Sequence, residues 1–303
     1  ITAIIPTLNG AETLSEFFAA LKRQHCQPDE VLVIDSSSTD GTVAVCQAAG
    51  AKVTIIARAE FDHGGTRTEA AKRAKGDILV FFTQDAILAT RDALELLIAP
   101  LVSQDDVACA YGRQLPGRNA KPVAAHLRLF NYPPESSVRN YGDRAQHGLK
   151  AIFISNSFAA YKKECLAAVD YFKNGLIFGE DTCTLGRLLA DGHAVAYVAE
   201  AGVYHSHNYS FGQEFRRSFD IGVLHASERW LLDTYGRAEG VGVQYIRSVF
   251  SMLFREKRYF LLPDCFLRSA LKLIGYKLGR SYIKIPAAWR PVLSMNGLWW
   301  KRR

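Results

Sequence analysis

Asp85 closes the stretch Gly76-Asp77-Ile78-Leu79-Val80-Phe81-Phe82-Thr83-Gln84-Asp85-Ala86. The five apolar residues Ile78 to Phe82 have the length and the β-branched and aromatic character of a strand buried on both faces. In open α/β sheets ligands bind beyond the carboxyl ends of the strands, so this strand delivers an acid to the edge where a ligand sits. An aspartate in that place also serves as a turn residue or as the cap of a helix starting near Thr90. Asp35 ends a second apolar run, Val31 to Ile34, where it can accept hydrogen bonds from a base or ribose, or cap the turn. Arg67 follows Phe61-Asp62-His63-Gly64-Gly65-Thr66 near a helix start, a place for a phosphate beside free backbone N–H groups or for a solvated surface cation. Glu180 and Asp181 open a later helix, where acids also complement the helix dipole. His205 and His207 stand two apart in an extended segment, so their side chains are expected on opposite faces and at most one enters a site. Such a histidine is either a metal ligand or an ordinary packed residue.

The elements that must hold these groups alternate. Strands are expected at Thr2 to Ile5, Val31 to Ile34, Val53 to Ile56, Ile78 to Phe82 and Val107 to Tyr111. Helices are expected over Ala11 to Arg23, from Asp40 as cap to Ala49, following Phe61 to Arg67 and reaching Ala74, and through Leu101. Strands separated by helices of this length indicate βαβ units and a parallel sheet, whose right-handed crossovers gather the βα turns along one edge. Four polar loops converge there: Thr7 to Asn9, Asp35 to Asp40, His63 to Arg67 and Thr83 to Asp85. Residues 113–151, rich in Pro and Gly, read as an irregular segment, either a substrate-covering loop or a mobile one. Strand character returns at Ala151 to Ile154 and at His193 to Val198, with a helix after Phe178-Gly179 carrying Leu185, Leu188 and Leu189 on one side.

Several function classes fall away. The first strand is not followed by G-x-G-x-x-G, and G-x-x-x-x-G-K-[ST] occurs nowhere, which speaks against dinucleotide enzymes and P-loop NTPases. The six cysteines are far apart, unlike zinc sites or disulfide frameworks, and read as free thiols of a reducing cytoplasm. The opening Ile1 to Ile5 is strand-like, without the pattern of a signal peptide, and no apolar stretch reaches the roughly 18 residues of a membrane span.

Taken together the motifs resemble a family 2 inverting glycosyltransferase of the GT-A fold. The resemblance rests on Pro6-Thr7-Leu8-Asn9, on Val33-Ile34-Asp35-Ser36-Ser37-Ser38-Thr39-Asp40-Gly41-Thr42, on the acid-ending strand, on Glu180-Asp181 with Leu185 and Arg187, and on His205. It covers roughly residues 1–215 and implies an α/β nucleotide-binding domain with a mainly parallel central sheet. Two stretches, Phe61 to Arg67 and Phe82 to Ala86, together with His205-Ser206-His207-Asn208-Tyr209-Ser210, are similar to bacterial rhamnosyltransferases that use dTDP-L-rhamnose. The resemblance implies that Thr7, Asn9, Asp35 and Arg67 hold the nucleotide, with Gln84 among the donor-binding residues. It implies that Asp85 binds Mg²⁺ or Mn²⁺ at the diphosphate, and that Asp181 is the general base. Thr83 stands where the family's D-x-D signature has its first acid, so the metal is expected to rest on Asp85 with His205, His207 being the alternative ligand.

Residues 216–303 form the second expected unit, a helical extension. Segment 243–303 holds thirteen Lys/Arg against Glu256 and Asp264, a balance of +11 in a chain of net +7, so the remainder carries −4. Phe250, Phe254, Tyr259, Phe260, Tyr276, Trp289, Trp299 and Trp300 are interspersed with these cations. Basic aromatic helices too short to span a bilayer fit an anionic membrane surface, or plain packing; no recognised nucleic-acid module is present. The expected protein is therefore a cytoplasmic enzyme at the inner membrane face, transferring rhamnose from dTDP-L-rhamnose to a polyprenyl-linked saccharide in surface polysaccharide assembly such as O-antigen. The competing readings are a UDP-sugar-dependent relative, a nucleotidyltransferase on a similar fold, and a non-catalytic sugar-nucleotide or membrane binder.

Overall fold

The computed structural model describes residues 1–236 and 239–302; Arg303, the last of the basic residues counted above, lies outside them. The N-terminal half alternates as expected: β1 (Thr2–Thr7), α1 (Ala11–Lys22), β2 (Glu30–Asp35), α2 (Thr42–Ala48), β3 (Lys52–Ile55), α3 (His63–Arg73) and β4 (Ile78–Phe82). These four strands are parallel in the order β3-β2-β1-β4, with Thr7 in register with Asp35. The expected burial of β4 on both faces holds. Phe81 meets Tyr161 and Phe172 edge-on at ring centroids of 5.6 and 5.0 Å, while Phe82, pointing the other way, meets Phe17 and Phe158 at 5.2 Å each. Such aromatic pairs contribute roughly 0.5–1.5 kcal/mol beyond their buried area.

Beyond β4 come β5 (Ile87–Leu88), α4 (Ala93–Ser103), β6 (Val107–Leu115), α5 (Pro122–Asn131), β7 (Ser137–Arg139), α6 (Arg144–His147), β8 (Phe158–Lys162), α7 (Lys163–Ala168), α8 (Glu180–Ala190) and β9 (Ala194–Tyr204). The sheet continues from β4 through β8, β6 and β9. Strand β8 is antiparallel to both neighbours, so β6 and β9 again run with β1 to β4, and β7 and β5 pair antiparallel with successive stretches of β9. The sheet is thus mixed, with β1, β2, β3, β4, β6 and β9 running one way.

Two local expectations need correction. Residues 113–151 are not simply irregular, because β6 runs on to Leu115 and Pro122 starts α5, where a missing N–H costs nothing at the first helical position. Ala151 to Ile154 is not a strand: residues to Ile152 form a 3₁₀ turn, and the strand starts at Phe158. The carbonyls of Lys150, Ala151 and Phe153 accept from the Arg139 guanidinium, the latter two at 3.0 and 2.8 Å, so they are not offered to a ladder.

The C-terminal part is helical: α9 (Phe211–Ser227), α10 (Arg229–Tyr235), α11 (Glu239–Arg255), α12 (Leu262–Arg280), α13 (Arg290–Leu293) and α14 (Gly297–Trp300). Glu214 of α9 pairs with Arg268 and Lys272 of α12 at 3.5 and 3.2 Å. The two helices approach so closely that a Cβ on Gly279 would lie 2.0 Å from the Phe219 carbonyl oxygen. Only glycine fits that contact. All six cysteines are free, as expected.

Candidate active site

Three βα loops meet at the carboxyl ends of the parallel strands, and side chains knit them together. Thr7 ends β1 and donates its Oγ1–H to Asp35 Oδ2 at 2.9 Å; Ser38 donates its N–H to Oδ1 and its Oγ–H to Oδ2 of the same buried carboxylate, at 2.8 and 2.6 Å. Asn9 takes a positive φ of 47° and accepts from the Thr39 N–H at 2.9 Å, an arrangement asparagine tolerates better than most residues. Gln84 grips the Leu8 backbone at both ends, accepting its N–H at 2.9 Å and donating to its carbonyl at 3.1 Å. Asp40 accepts from Thr42 N–H and Ala11 N–H, tying the starts of α1 and α2. Thr7, Leu8 and Gln84 line a cleft of about 710 Å³; the exposed Asn9 and the buried Asp35 are not among its lining residues.

Arg67 is buried in α3. Its Nη1 donates to the His63 carbonyl at 3.0 Å and pairs with Glu180 Oε1 at 3.1 Å, while its buried Nε has no hydrogen-bond partner among the described residues. Helix α3 is aimed by its first residues. Asp62 caps it by accepting from Gly64 and Gly65 N–H at 3.0 and 2.8 Å, and a Cβ on Gly64 would meet the Lys173 carbonyl oxygen at 2.0 Å. Gly64 is therefore a packing requirement, because the helix start lies directly on the backbone at Lys173, whereas Gly65 faces the Asn174 side chain.

The Arg67 contact ties α3 to the first turn of α8, where Asp181 follows Glu180. Burial opposes the charge of Glu180, yet Arg67 and then His63 hold its carboxyl below the usual range. For Asp181 the balance is reversed. Burial, and then the adjacent Glu180 charge, push it up to about 6, even though Oδ2 accepts from Asn156 N–H at 3.2 Å and Oδ1 from Thr182 N–H at 2.7 Å. Asp181 lines a recess of about 300 Å³ that shares His63, Arg67 and Thr83 with the larger cleft. A carboxylate with its pKa near the working pH, in a recess next to a ligand cleft, has the properties of a general base.

Asp85 does not cap a helix, since α4 starts at Ala93 with Asp92 as its cap residue. It faces both histidines: His205 Nε2 is 3.4 Å from Oδ1 and His207 Nε2 is 3.9 Å from Oδ2. The expectation that at most one histidine enters the site is corrected here. Strand β9 ends at Tyr204, so the alternation of faces stops one residue before His205, and the two rings meet edge-on with centroids 4.7 Å apart. Burial opposes the charge of Asp85, but the hydrogen bond and charge of His205, followed by His207, hold its carboxyl well below the usual range.

The histidine tautomer is fixed from behind. Arg128 can only donate, and it donates to Gln114 Oε1; the same oxygen lies 3.0 Å from His205 Nδ1, which must therefore carry the proton. Nε2 is then the ring atom turned toward Asp85: protonated it donates to the carboxylate, and deprotonated it offers a lone pair to a cation. One ligand atom from each of Asp85, His205 and His207 lies within 4.8 Å of the others, a donor set of oxygen and imidazole nitrogen that fits a divalent metal. Gln114 and Arg128 were not singled out from the sequence. They lie in β6 and α5, and only the fold brings them behind His205.

The sequence profile of glycosyl transferase family 2 matches residues 2–169. The chain belongs to this family. It is 38% identical over 301 residues to the O-antigen chain rhamnosyltransferase WbaN of Salmonella anatum, covering 99% of this chain and 95% of that protein. It is also 38% identical over 302 residues to the O-antigen chain rhamnosyltransferase RfbN of Salmonella typhimurium, covering 99% and 96%. Among solved structures the mannosyltransferase PcManGT from Pyrobaculum calidifontis, in complex with GDP-Man and Mn²⁺, has a TM-score of 0.64 over 93% of this chain and 87% of that one, at 17% identity. The last likeness is one of fold.

The chain is thus a rhamnosyltransferase-like family 2 glycosyltransferase of GT-A architecture. In this enzyme Thr7, Asn9, Asp35 and Gln84 hold the loops to one another, Arg67 and Glu180 join α3 to the helix bearing Asp181, and Asp85 gathers with His205 and His207. A further cavity of about 770 Å³ is lined by Thr66, Glu69 and Arg73 of α3; like the 710 Å³ cleft, it has neither Asp85 nor Asp181 in its wall.

Proposed function

We propose that this glycosyltransferase moves L-rhamnose from dTDP-L-rhamnose to a saccharide acceptor carried on a polyprenyl lipid, with inversion at the anomeric carbon, in the assembly of O-antigen or a related surface polysaccharide. The rhamnosyl assignment is supported by the two Salmonella relatives, similar over nearly the whole chain. The catalytic assignment is carried by one observation: Asp181, with its carboxyl raised to about 6, lines a recess that shares wall residues with the cleft between the nucleotide-binding loops.

Asp181 takes the proton from the acceptor hydroxyl as that oxygen forms a bond to the anomeric carbon. The bond from that carbon to the diphosphate oxygen breaks, and dTDP leaves with the bonding electrons. A single displacement inverts the centre, so a β-linked donor yields an α-L-rhamnoside. Base catalysis of this kind is worth about 10²–10⁴-fold. Thr7 and Gln84 shape the donor cleft, with Arg67 in its wall. Asp85, His205 and His207 are the residues that would hold Mg²⁺ or Mn²⁺, which when bound supplies charge neutralisation at the departing diphosphate.

The acceptor side is proposed to lie against an anionic membrane surface. No helix among the described residues is long and apolar enough to cross a membrane. The C-terminal helices instead expose Phe260, Phe266, Leu273, Ile274 and Ile283, with Lys257, Arg258, Lys277 and Lys284 in the same segment. Apolar residues flanked by cations combine area for insertion with attraction to anionic lipid.

The test is dTDP release from dTDP-L-rhamnose on a rhamnose-accepting lipid-linked pool, with and without Mn²⁺ or Mg²⁺, comparing wild type with Asp181→Asn and Asp85→Ala. Metal-dependent release lost in both variants is the expected result. Turnover of UDP-sugars with dTDP-L-rhamnose untouched would overturn the donor assignment and leave Asp181 as the base.

A further inference from the structure

The last residues of the chain return to the donor cleft. Asp220 of α9 accepts the Met295 N–H at 3.0 Å and the Asn296 Nδ2–H at 3.1 Å, and Trp300 packs on Phe219 and Tyr282. At the far end Trp299 Nε1–H donates to the Gly175 carbonyl at 3.0 Å, and Arg302 Nη1 donates to the Phe61 carbonyl at 2.8 Å. Held at both ends, this segment contributes Met295, Asn296, Trp299, Lys301 and Arg302 to the wall of the same 710 Å³ cleft that Thr7, Leu8 and Gln84 line.

The charges on that wall are one-sided. Asp62 is its sole acid among the described residues, and its carboxylate accepts from the N–H groups of Gly64, Gly65 and Gly175. Arg67 is neutralised by Glu180. Arg58, Lys301 and Arg302 also line the cleft, are exposed, and make no ion pair with any described residue. Three uncompensated cations around a cleft without a free acid fit a polyanion.

We infer that segment 291–302 is part of the donor site, with Lys301 and Arg302 joining Arg58 on the phosphates of a nucleoside diphosphate and Trp299 closing the cleft beside it. This rests on the donor-site reading above and extends it to residues outside the part of the chain that matches the family profile. The C-terminus is then a binding element as well as a surface extension.

Calorimetric titration of the full chain with dTDP and with UDP, in the presence of Mg²⁺, tests it. Lys301→Ala with Arg302→Ala is expected to weaken dTDP binding at least tenfold at low salt, with a shallower salt dependence than wild type. Trp299→Phe is expected to remove most of the change in tryptophan fluorescence that dTDP causes. A double variant with unchanged melting temperature that binds dTDP as wild type does, or a fluorescence response untouched by Trp299→Phe, overturns the inference while the donor site stands. If wild type binds neither nucleotide, the donor-site reading fails and this inference fails with it. Should the double variant unfold, Lys301→Ala alone and the fluorescence response of Trp299→Phe decide between these outcomes.

Discussion

Arg67 Nη1 lies 3.1 Å from Glu180 Oε1, with both side chains about 6% exposed, and the next residue is Asp181. One buried ion pair therefore fixes the helix that carries the proposed base. Breaking such a pair leaves an uncompensated buried charge, which costs about 3–5 kcal/mol. Arg67→Met should lower unfolding free energy in urea by that order. Arg67→Met with Glu180→Gln should cost less than the two single changes added, and a double-mutant cycle measures the difference.

The pH dependence has a definite sign. Asp181 acts as a base only when deprotonated, and its carboxyl is pushed up to about 6. The logarithm of kcat/KM should rise with unit slope below about pH 6 and level off above it. Glu180→Gln removes the neighbouring negative charge and should move that limb to lower pH. Asp181→Asn should cost about 10²–10⁴-fold in kcat, with dTDP affinity changed little. A profile flat down to pH 5 would remove Asp181 from the role.

Gln114 supports the proposed metal site from behind. Its Oε1 holds the His205 Nδ1 proton, so Gln114→Ala frees the ring to rotate and to exchange tautomers. Mn²⁺ affinity should fall about 10–100-fold, the usual effect of losing an outer partner of a ligating histidine. Direct Mn²⁺ titration measures this without turnover. Unaltered affinity in Gln114→Ala together with His205→Ala would dissolve the site.

The proposed membrane face can be weakened without touching the fold. Phe266 and Ile274 are 69% and 50% exposed, so Phe266→Ser with Ile274→Ser should change stability by no more than roughly 0.5 kcal/mol each. Co-sedimentation with vesicles containing phosphatidylglycerol should drop severalfold, and salt should release the wild type. Equal binding by both proteins would place membrane contact elsewhere or nowhere.

Much of this was legible in the residues themselves. The buried run Ile78 to Phe82, the alternation of short strands with amphipathic helices, and the acid at the end of β4 are local patterns, because side-chain direction repeats every two residues in a strand and every 3.6 in a helix. Gly64 stood in the sequence as part of a motif, but its reason, the carbonyl of Lys173 against the helix start, belongs to a contact with a distant loop.

What the sequence alone determined is the alternation of strands and helices through β4 and the identity of the acids and histidines that follow the strands or open the helices. Tertiary structure decided what each charge does. Arg67 meets Glu180, Asp35 is saturated by Thr7 and Ser38, both histidines turn toward Asp85 once β9 has ended, and residues 291–302 come back to the cleft that Thr7 and Gln84 line. The physical reason is range. Periodicity is set by neighbours a few residues away, whereas the compensation of a buried charge depends on whichever group the fold brings within about 4 Å, and one chain offers many that local pattern cannot tell apart.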